Sequence, residues 1–191
     1  TGKPLKLEEW QSKIVGDIFG WKNKKTNLRK YRTVFIEVPR KNGKSTLCAA
    51  IGLYMLFADE ERGSEVYSAA GDRQQAGIVF EIAKGMILQS PELSERGKVF
   101  RNSIVNESKG NYYQAISSDS KTKHGFNANC IIFDELHTQP NRDLWDTLTT
   151  STGSRRQPLT IAITTAGYDK QSICYEIYSY AKKVLEGTIS D

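Results

Sequence analysis

Gly43, Lys44 and Ser45 are the first residues whose types and spacing point to chemistry. They lie within Val38 Pro39 Arg40 Lys41 Asn42 Gly43 Lys44 Ser45 Thr46, between two apolar runs. Against the phosphate-loop pattern G-x-x-x-x-G-K-[ST] the last three positions match, while Val38 stands where the leading glycine would be. Such a loop feeds a helix N-terminus, whose main-chain N–H groups point one way and carry partial positive charge. The stretch from Lys41 through Asn42, Gly43, Lys44 and Ser45 to Thr46 is thereby suited to cradling a triphosphate. Gly43 admits a close main-chain approach, Lys44 bridges the terminal phosphates as a point charge, and the Ser45 hydroxyl is a ligand for Mg²⁺. The same residues also fit a basic turn in which Ser45 merely caps the helix.

A second cluster narrows the choice. Cys130 Ile131 Ile132 Phe133 run directly into Asp134 and Glu135, which places two carboxylates at the C-terminal end of a buried strand, where α/β sheets bind ligands. Asp134 is expected to hold the metal, directly or through water, and Glu135 to orient and deprotonate an attacking water. One acid at a strand end is commonly just solvated. Two of them downstream of a Gly-Lys-Ser turn favour ATP or GTP hydrolysis, and no NKxD motif for reading guanine is present.

These residues need a rigid frame, and the apolar pattern supplies one. Leu7 to Trp21 has helical spacing through Trp10, Ile14, Val15, Ile18 and Phe19. Thr33 to Val38 reads as a strand stopped by Pro39, and the run from Ser45 to Phe57 as a largely buried helix. A second strand, Glu65 to Ala70, leads into a helix through Ile78, Phe80, Ile82, Met86 and Leu88. Ser103 to Val105 and Tyr112 to Ser117 flank a polar turn with Gly110, a hairpin or meander. Asn129 to Phe133 and Leu159 to Thr165 are apolar strands, with helices expected around Arg142 to Thr150 and Ile173 to Leu185. Continuous apolar strands alternating with helices predict an α/β fold in three layers, a mostly parallel central sheet with helices on both faces.

Size and composition agree. At 191 residues, 38% hydrophobic and 26% charged, the chain is one ordinary globular domain, and a wholly disordered, collagenous or coiled-coil chain is excluded. Three widely spaced cysteines without a CxxC pair, and two histidines, argue against structural zinc. No apolar run approaches the roughly 18 to 20 residues of a membrane span, so a cytosolic protein is expected. The net charge of +5 is local: Lys22, Lys24, Lys25, Arg29, Lys30 and Arg32, six cations with no acid among them, exceed it. Such a run is a solvated loop or a contact to a phosphate backbone. Thr1 is not a natural start residue, so the chain is expected to be a piece of something longer.

In chain order, the strand Glu65 to Ala70 falls between the phosphate-loop strand and the carboxylate strand, and Glu135 directly follows Asp134. That arrangement resembles the additional-strand, catalytic-glutamate class of P-loop ATPases. Four separated elements sharpen the resemblance, to the large subunit of bacteriophage terminases: Trp10 Gln11, the loop from Pro39 through Arg40 to Ser45, Ile131 to His137, and Thr164 Thr165 Ala166 Gly167. The resemblance implies that Gln11 contacts adenine, that Arg40 is the early arginine of a deviant phosphate loop, and that Thr164 couples hydrolysis to movement. A hydroxyl at the end of a strand beside the phosphate strand is also placed to sense a γ-phosphate, or simply to cap a turn.

By the same resemblance the chain is the ATPase motor domain, residues 1–191, of a DNA-packaging enzyme in the cytoplasm of the host. ATP and Mg²⁺ are its cofactors; double-stranded DNA, sister subunits in a ring on a portal, and a small terminase subunit are its partners. Ring ATPases also use an arginine in trans. Where many terminases carry it, this chain reads Lys123 His124 Gly125, which leaves Lys123, His124, Arg73 and Arg40 as alternatives. A C-terminal nuclease needs a carboxylate cluster, and after Thr165 only Asp169, Glu176, Glu186 and Asp191 remain, so no nuclease is expected within these residues. A helicase-like ATPase and a nucleotide- or DNA-binding module with little turnover are the competing functions.

Overall fold

The computed structural model of the chain describes residues 4–118, 125–167 and 169–189. In chain order the elements are α1 (Glu9–Gly20), β1 (Thr33–Glu37), α2 (Lys44–Phe57), β2 (Glu65–Ala70), α3 (Arg73–Leu88), α4 (Pro91–Arg96), β3 (Lys98–Val99), β4 (Ile104–Asn106), β5 (Asn111–Ser117), β6 (Ala128–Asp134), α5 (Asp143–Thr150), β7 (Leu159–Thr164) and α6 (Ile173–Leu185). Short 3₁₀ turns follow β6 at Leu136–Thr138 and α5 at Ser151–Ser154.

The strands form one sheet in the order β1, β7, β6, β2, β5, β4, β3. The first five are parallel, and β4 and β3 close the far edge as an antiparallel meander on β5. Continuous apolar strands become parallel and doubly covered because both faces must meet helices. Every residue of β6 and β7 is buried. The side-chain period of two divides them: Cys130, Ile132, Ile161 and Ile163 join the core under α1, α2 and α3, while Ile131, Phe133 and Ala162 join the one under α5 and α6.

The expected three-layer α/β fold is therefore present. Chain order nevertheless misplaces one strand. In the sheet it is β7, not Glu65–Ala70, that separates the phosphate-loop strand β1 from the carboxylate strand β6; β2 lies on the far side of β6. The segment α4–β3 was not legible from apolar periodicity, although Ser90 followed by Pro91 is a helix-start signal and the Ser90 hydroxyl accepts from Leu93 N. No helix among the described residues is long and apolar enough to cross a membrane.

Register converts this topology into a site. Glu37 is level with Thr164 and Asp134 with Ile163, so the C-terminal ends of β1, β7 and β6 finish side by side. Asp134 and Thr164 end two of these strands, Arg40 to Gly43 and Glu135 lie in the segments that leave them, Lys44 to Thr46 open α2, and Gln11 comes from α1.

Candidate nucleotide site

The loop after β1 is built to turn sharply. Lys41 and Gly43 both have positive φ, 67° and 71°, and the Asn42 amide donates to Pro39 O (3.1 Å) and Arg40 O (3.3 Å), bracing the turn from inside. Gly43 in the left-handed region is the N-cap of α2, and its carbonyl accepts the first helical bond from Leu47 N. Ser45 is thus inside the helix and does not cap it. Its hydroxyl donates to Asp134 Oδ2 at 3.1 Å, joining the loop to the carboxylate strand across 89 residues of sequence.

Asp134 is almost fully buried, and its Oδ2 also accepts from the Gln75 amide (3.3 Å) while its Oδ1 has no partner. Burial pushes the carboxyl up from the ordinary aspartate range; the Ser45 hydrogen bond and the Lys44 charge pull it back, and the Glu135 charge adds to the rise. A buried oxygen with no donor beside a hydroxyl fits a hard cation, which would compensate that charge. No group of three or more His, Cys, Asp or Glu able to hold a metal occurs among the described residues. The donors present therefore fit Mg²⁺ sharing its coordination with phosphate oxygens and water, as this ion prefers, and not an all-protein cage.

Glu135 follows in a strained left-handed conformation, φ 51° and ψ 53°. Its Oε1 lies 3.5 Å from Lys44 Nζ, and its Oε2 meets Thr165 N (3.3 Å), Thr165 Oγ1 (3.4 Å) and His137 Nδ1 (3.3 Å). Lys44 is buried and also donates to Pro39 O (3.4 Å). Phosphate loop and paired carboxylates are thus one connected group.

The remaining expected residues are placed less uniformly. Gln11 is buried beside the loop: its Oε1 accepts from Glu8 N (3.0 Å), and its Nε2 would lie 3.2 Å from a β-carbon at Gly43. Thr164 is fully buried. Its hydroxyl meets His137, Thr165 O and the Cys174 thiol, and it reaches the loop after β1 through its carbonyl, which accepts from Val38 N at 3.2 Å. Arg40 and Lys41 are exposed with free side chains, and Thr46 is half-buried on α2. Arg73 is exposed in the first turn of α3, on a crevice of about 370 Å³ that Arg101 and Gln114 also line. Lys123 and His124 lie outside the described residues. Gln75 was missed because nothing in the sequence fixes how α3 is turned over the sheet. The contacts of His137 and Thr165 were missed because they depend on which strand lies beside β6.

A Gly-Lys-Ser turn between strand and helix, locked to an Asp-Glu pair at the end of a parallel strand, defines an α/β fold of the P-loop nucleoside triphosphatase type. Comparison with known proteins goes one step further. The family profile described as "Terminase large subunit, ATPase domain" matches residues 9–183, and the chain belongs to that family. Membership implies nucleotide binding and ATPase activity in general terms. The chain is 31% identical over 173 residues to the large terminase subunit of Enterobacteria phage HK97, covering 86% of this chain and 32% of the relative. The crystal structure of the HK97 large terminase superposes with a TM-score of 0.82 at 25% identity, over 97% of this chain and 38% of that one. The ATPase domain of the large terminase of Thermus phage P74-26 shares the fold, with a TM-score of 0.59 at 19% identity over 86% of this chain and 72% of that one. The chain thus spans about a third of the length of its HK97 relative.

Proposed function

We propose that this chain binds Mg²⁺–ATP at the rim formed by β1, β7 and β6 and hydrolyses it to drive double-stranded DNA into a viral procapsid, as the motor domain of a terminase large subunit. The observation that carries the reading is the double tie between phosphate loop and carboxylates, Ser45 to Asp134 and Lys44 to Glu135, in a member of an ATPase-domain family.

The roles follow from position. Main-chain N–H groups from Lys41 to Thr46, at the N-terminus of α2, hold the phosphates, with Gly43 giving clearance and Asn42 keeping the turn closed. Lys44 neutralises the terminal phosphates, and Arg40, exposed on the loop, adds a further positive charge. Ser45 Oγ and Asp134 would hold Mg²⁺, which when bound would supply charge neutralisation at the phosphates. Glu135 accepts the proton of the attacking water through its carboxylate. Gln11 borders the loop where an adenine ring would lie, and Thr164 ties β7 to that loop, so a change at the phosphates reaches the next strand. The 191 residues act as one motor domain. Double-stranded DNA, sister subunits in a ring on a portal, and a small terminase subunit are its partners in the host cytoplasm.

Glu135→Gln tests the chemistry. Turnover is expected to fall by about 10²- to 10⁴-fold, the range for loss of a general base, with Mg²⁺–ATP affinity retained in calorimetric titration. Unchanged turnover would remove Glu135 from the reaction. A wild-type chain that binds Mg²⁺–ATP with no hydrolysis even in a single-turnover assay would support a binding module instead.

A further inference from the structure

The His137 ring stands between the two segments that leave β6 and β7. Its Nδ1 lies 2.8 Å from Thr164 Oγ1 and 3.3 Å from Glu135 Oε2, and its main-chain N lies 3.4 Å from the same threonine oxygen. The Thr164 hydroxyl has one hydrogen, which it donates to Thr165 O at 2.9 Å. With that hydrogen on Thr165 O the oxygen accepts from His137, and the Glu135 carboxylate can only accept, so a ring proton on Nδ1 serves both neighbours. A β-carbon at Gly167 would come within 3.1 Å of His137 Cβ, so the segment after β7 closes on the base of the ring.

These contacts complete a circuit. Val38 N donates to Thr164 O, Thr164 Oγ1 accepts from His137, His137 meets Glu135 Oε2, and Glu135 Oε1 meets Lys44, which returns to the phosphate loop. Only the Lys44 link is one for which a phosphate competes. When Lys44 turns to a γ-phosphate, Glu135 keeps only its Oε2 anchors, and its left-handed backbone persists only if its surroundings over-determine it.

We propose that His137, protonated at Nδ1, is the positioning residue that holds Glu135 by Oε2 and fastens it to Thr164 at the end of β7, so that the position of β7 and the aim of the catalytic carboxylate are set together. The proposal rests on the reading of Glu135 as the general base.

The chain has only two histidines, so His124→Gln assigns the ring signals of His137 in ¹⁵N spectra. Neutral imidazole in water favours the Nε2–H tautomer; His137 is expected in the Nδ1–H form, and Thr164→Val, which removes the acceptor, is expected to shift it towards Nε2–H. In single-turnover hydrolysis, His137→Ala is expected to lower the rate by about 10- to 100-fold, the usual cost of an orienting partner, with the KM for Mg²⁺–ATP within a few-fold of wild type. His137→Asn, which presents an N–H where Nδ1–H stands, is expected to recover most of the rate, and His137→Gln to recover little. A wild-type Nε2–H tautomer overturns the proposal, as does a His137→Ala rate equal to wild type or a His137→Asn rate no better than His137→Ala. If His137→Ala does not fold, the tautomer and the Asn and Gln variants still decide. Full activity in Glu135→Gln would sink this proposal together with the function; full activity in His137→Ala beside an inactive Glu135→Gln sinks this one alone.

Discussion

Asp134 is a carboxylate kept where a carboxylate is least welcome. Because burial raises its pKa in the folded chain above the unfolded value, the fold is penalised wherever the group is ionised. The penalty is complete above the folded pKa and vanishes below the unfolded one, near about pH 4. Asp134→Asn is therefore expected to melt higher than wild type at pH 7 in the presence of a chelator, with the gap closing as the pH falls, while Mg²⁺-dependent nucleotide affinity is lost. Thermal melts of both proteins across that range check the sign, and a gap that is absent or widens in acid would contradict it. At this scale much was legible: a helix-opening Gly-Lys-Ser and a strand-ending Asp-Glu are local patterns whose chemistry is in the residue types. The Gln75 bond to Asp134 was not, because it depends on how a helix 59 residues away is rotated.

The elements show why the phosphate loop keeps its shape. Gly43 sits at φ 71°, where a β-carbon costs about 1–2 kcal/mol, and that carbon would also crowd the Gln11 amide on α1. Gly43→Ala is expected to lose that much stability and to weaken Mg²⁺–ATP binding, readable in denaturant melts and calorimetry; an unaffected affinity would show that the turn tolerates the strain. Behind the loop, Cys48 of α2 and Cys130 of β6 are fully buried, and burial pushes both thiols up, Cys130 to about 12. Neither is expected to react with a thiol reagent at pH 8 until denaturant opens the layer between α2 and the sheet, since the thiolate is the nucleophile. Most elements were legible from apolar spacing. Their sheet order was not, because a parallel strand reaches its neighbour by a long crossover and Leu159–Thr164 arrives last in the chain to lie second in the sheet.

Across the whole molecule the basic run divides into two kinds of charge. Arg29 is buried, paired with Asp59 at 2.7 Å and set over the Phe19 ring, whereas Lys22, Lys24, Lys25, Lys30 and Arg32 are exposed at the end of β1 opposite the nucleotide rim. Arg29→Ala is expected to cost about 3–5 kcal/mol of folding stability by stranding Asp59, measured by denaturant unfolding. Neutralising the five exposed cations should leave stability nearly unchanged; if they meet DNA, it should also flatten the salt dependence of DNA binding. An unaltered salt slope would exclude this segment as a DNA contact. Nothing in the run itself distinguishes Arg29 from its neighbours, since its partner lies thirty residues on.

The position of β1 has a mechanical consequence. Among the described residues it is hydrogen-bonded to β7 alone, so the strand that carries the phosphate loop hangs from the sheet by a single ladder. A displacement passed along β1 through its backbone ladder enters β7 first, beside the direct ties from Ser45 and Lys44 to the end of β6. The stiffness of the five paired positions between β1 and β7 sets how much of such a displacement moves the sheet instead of being lost as local bending.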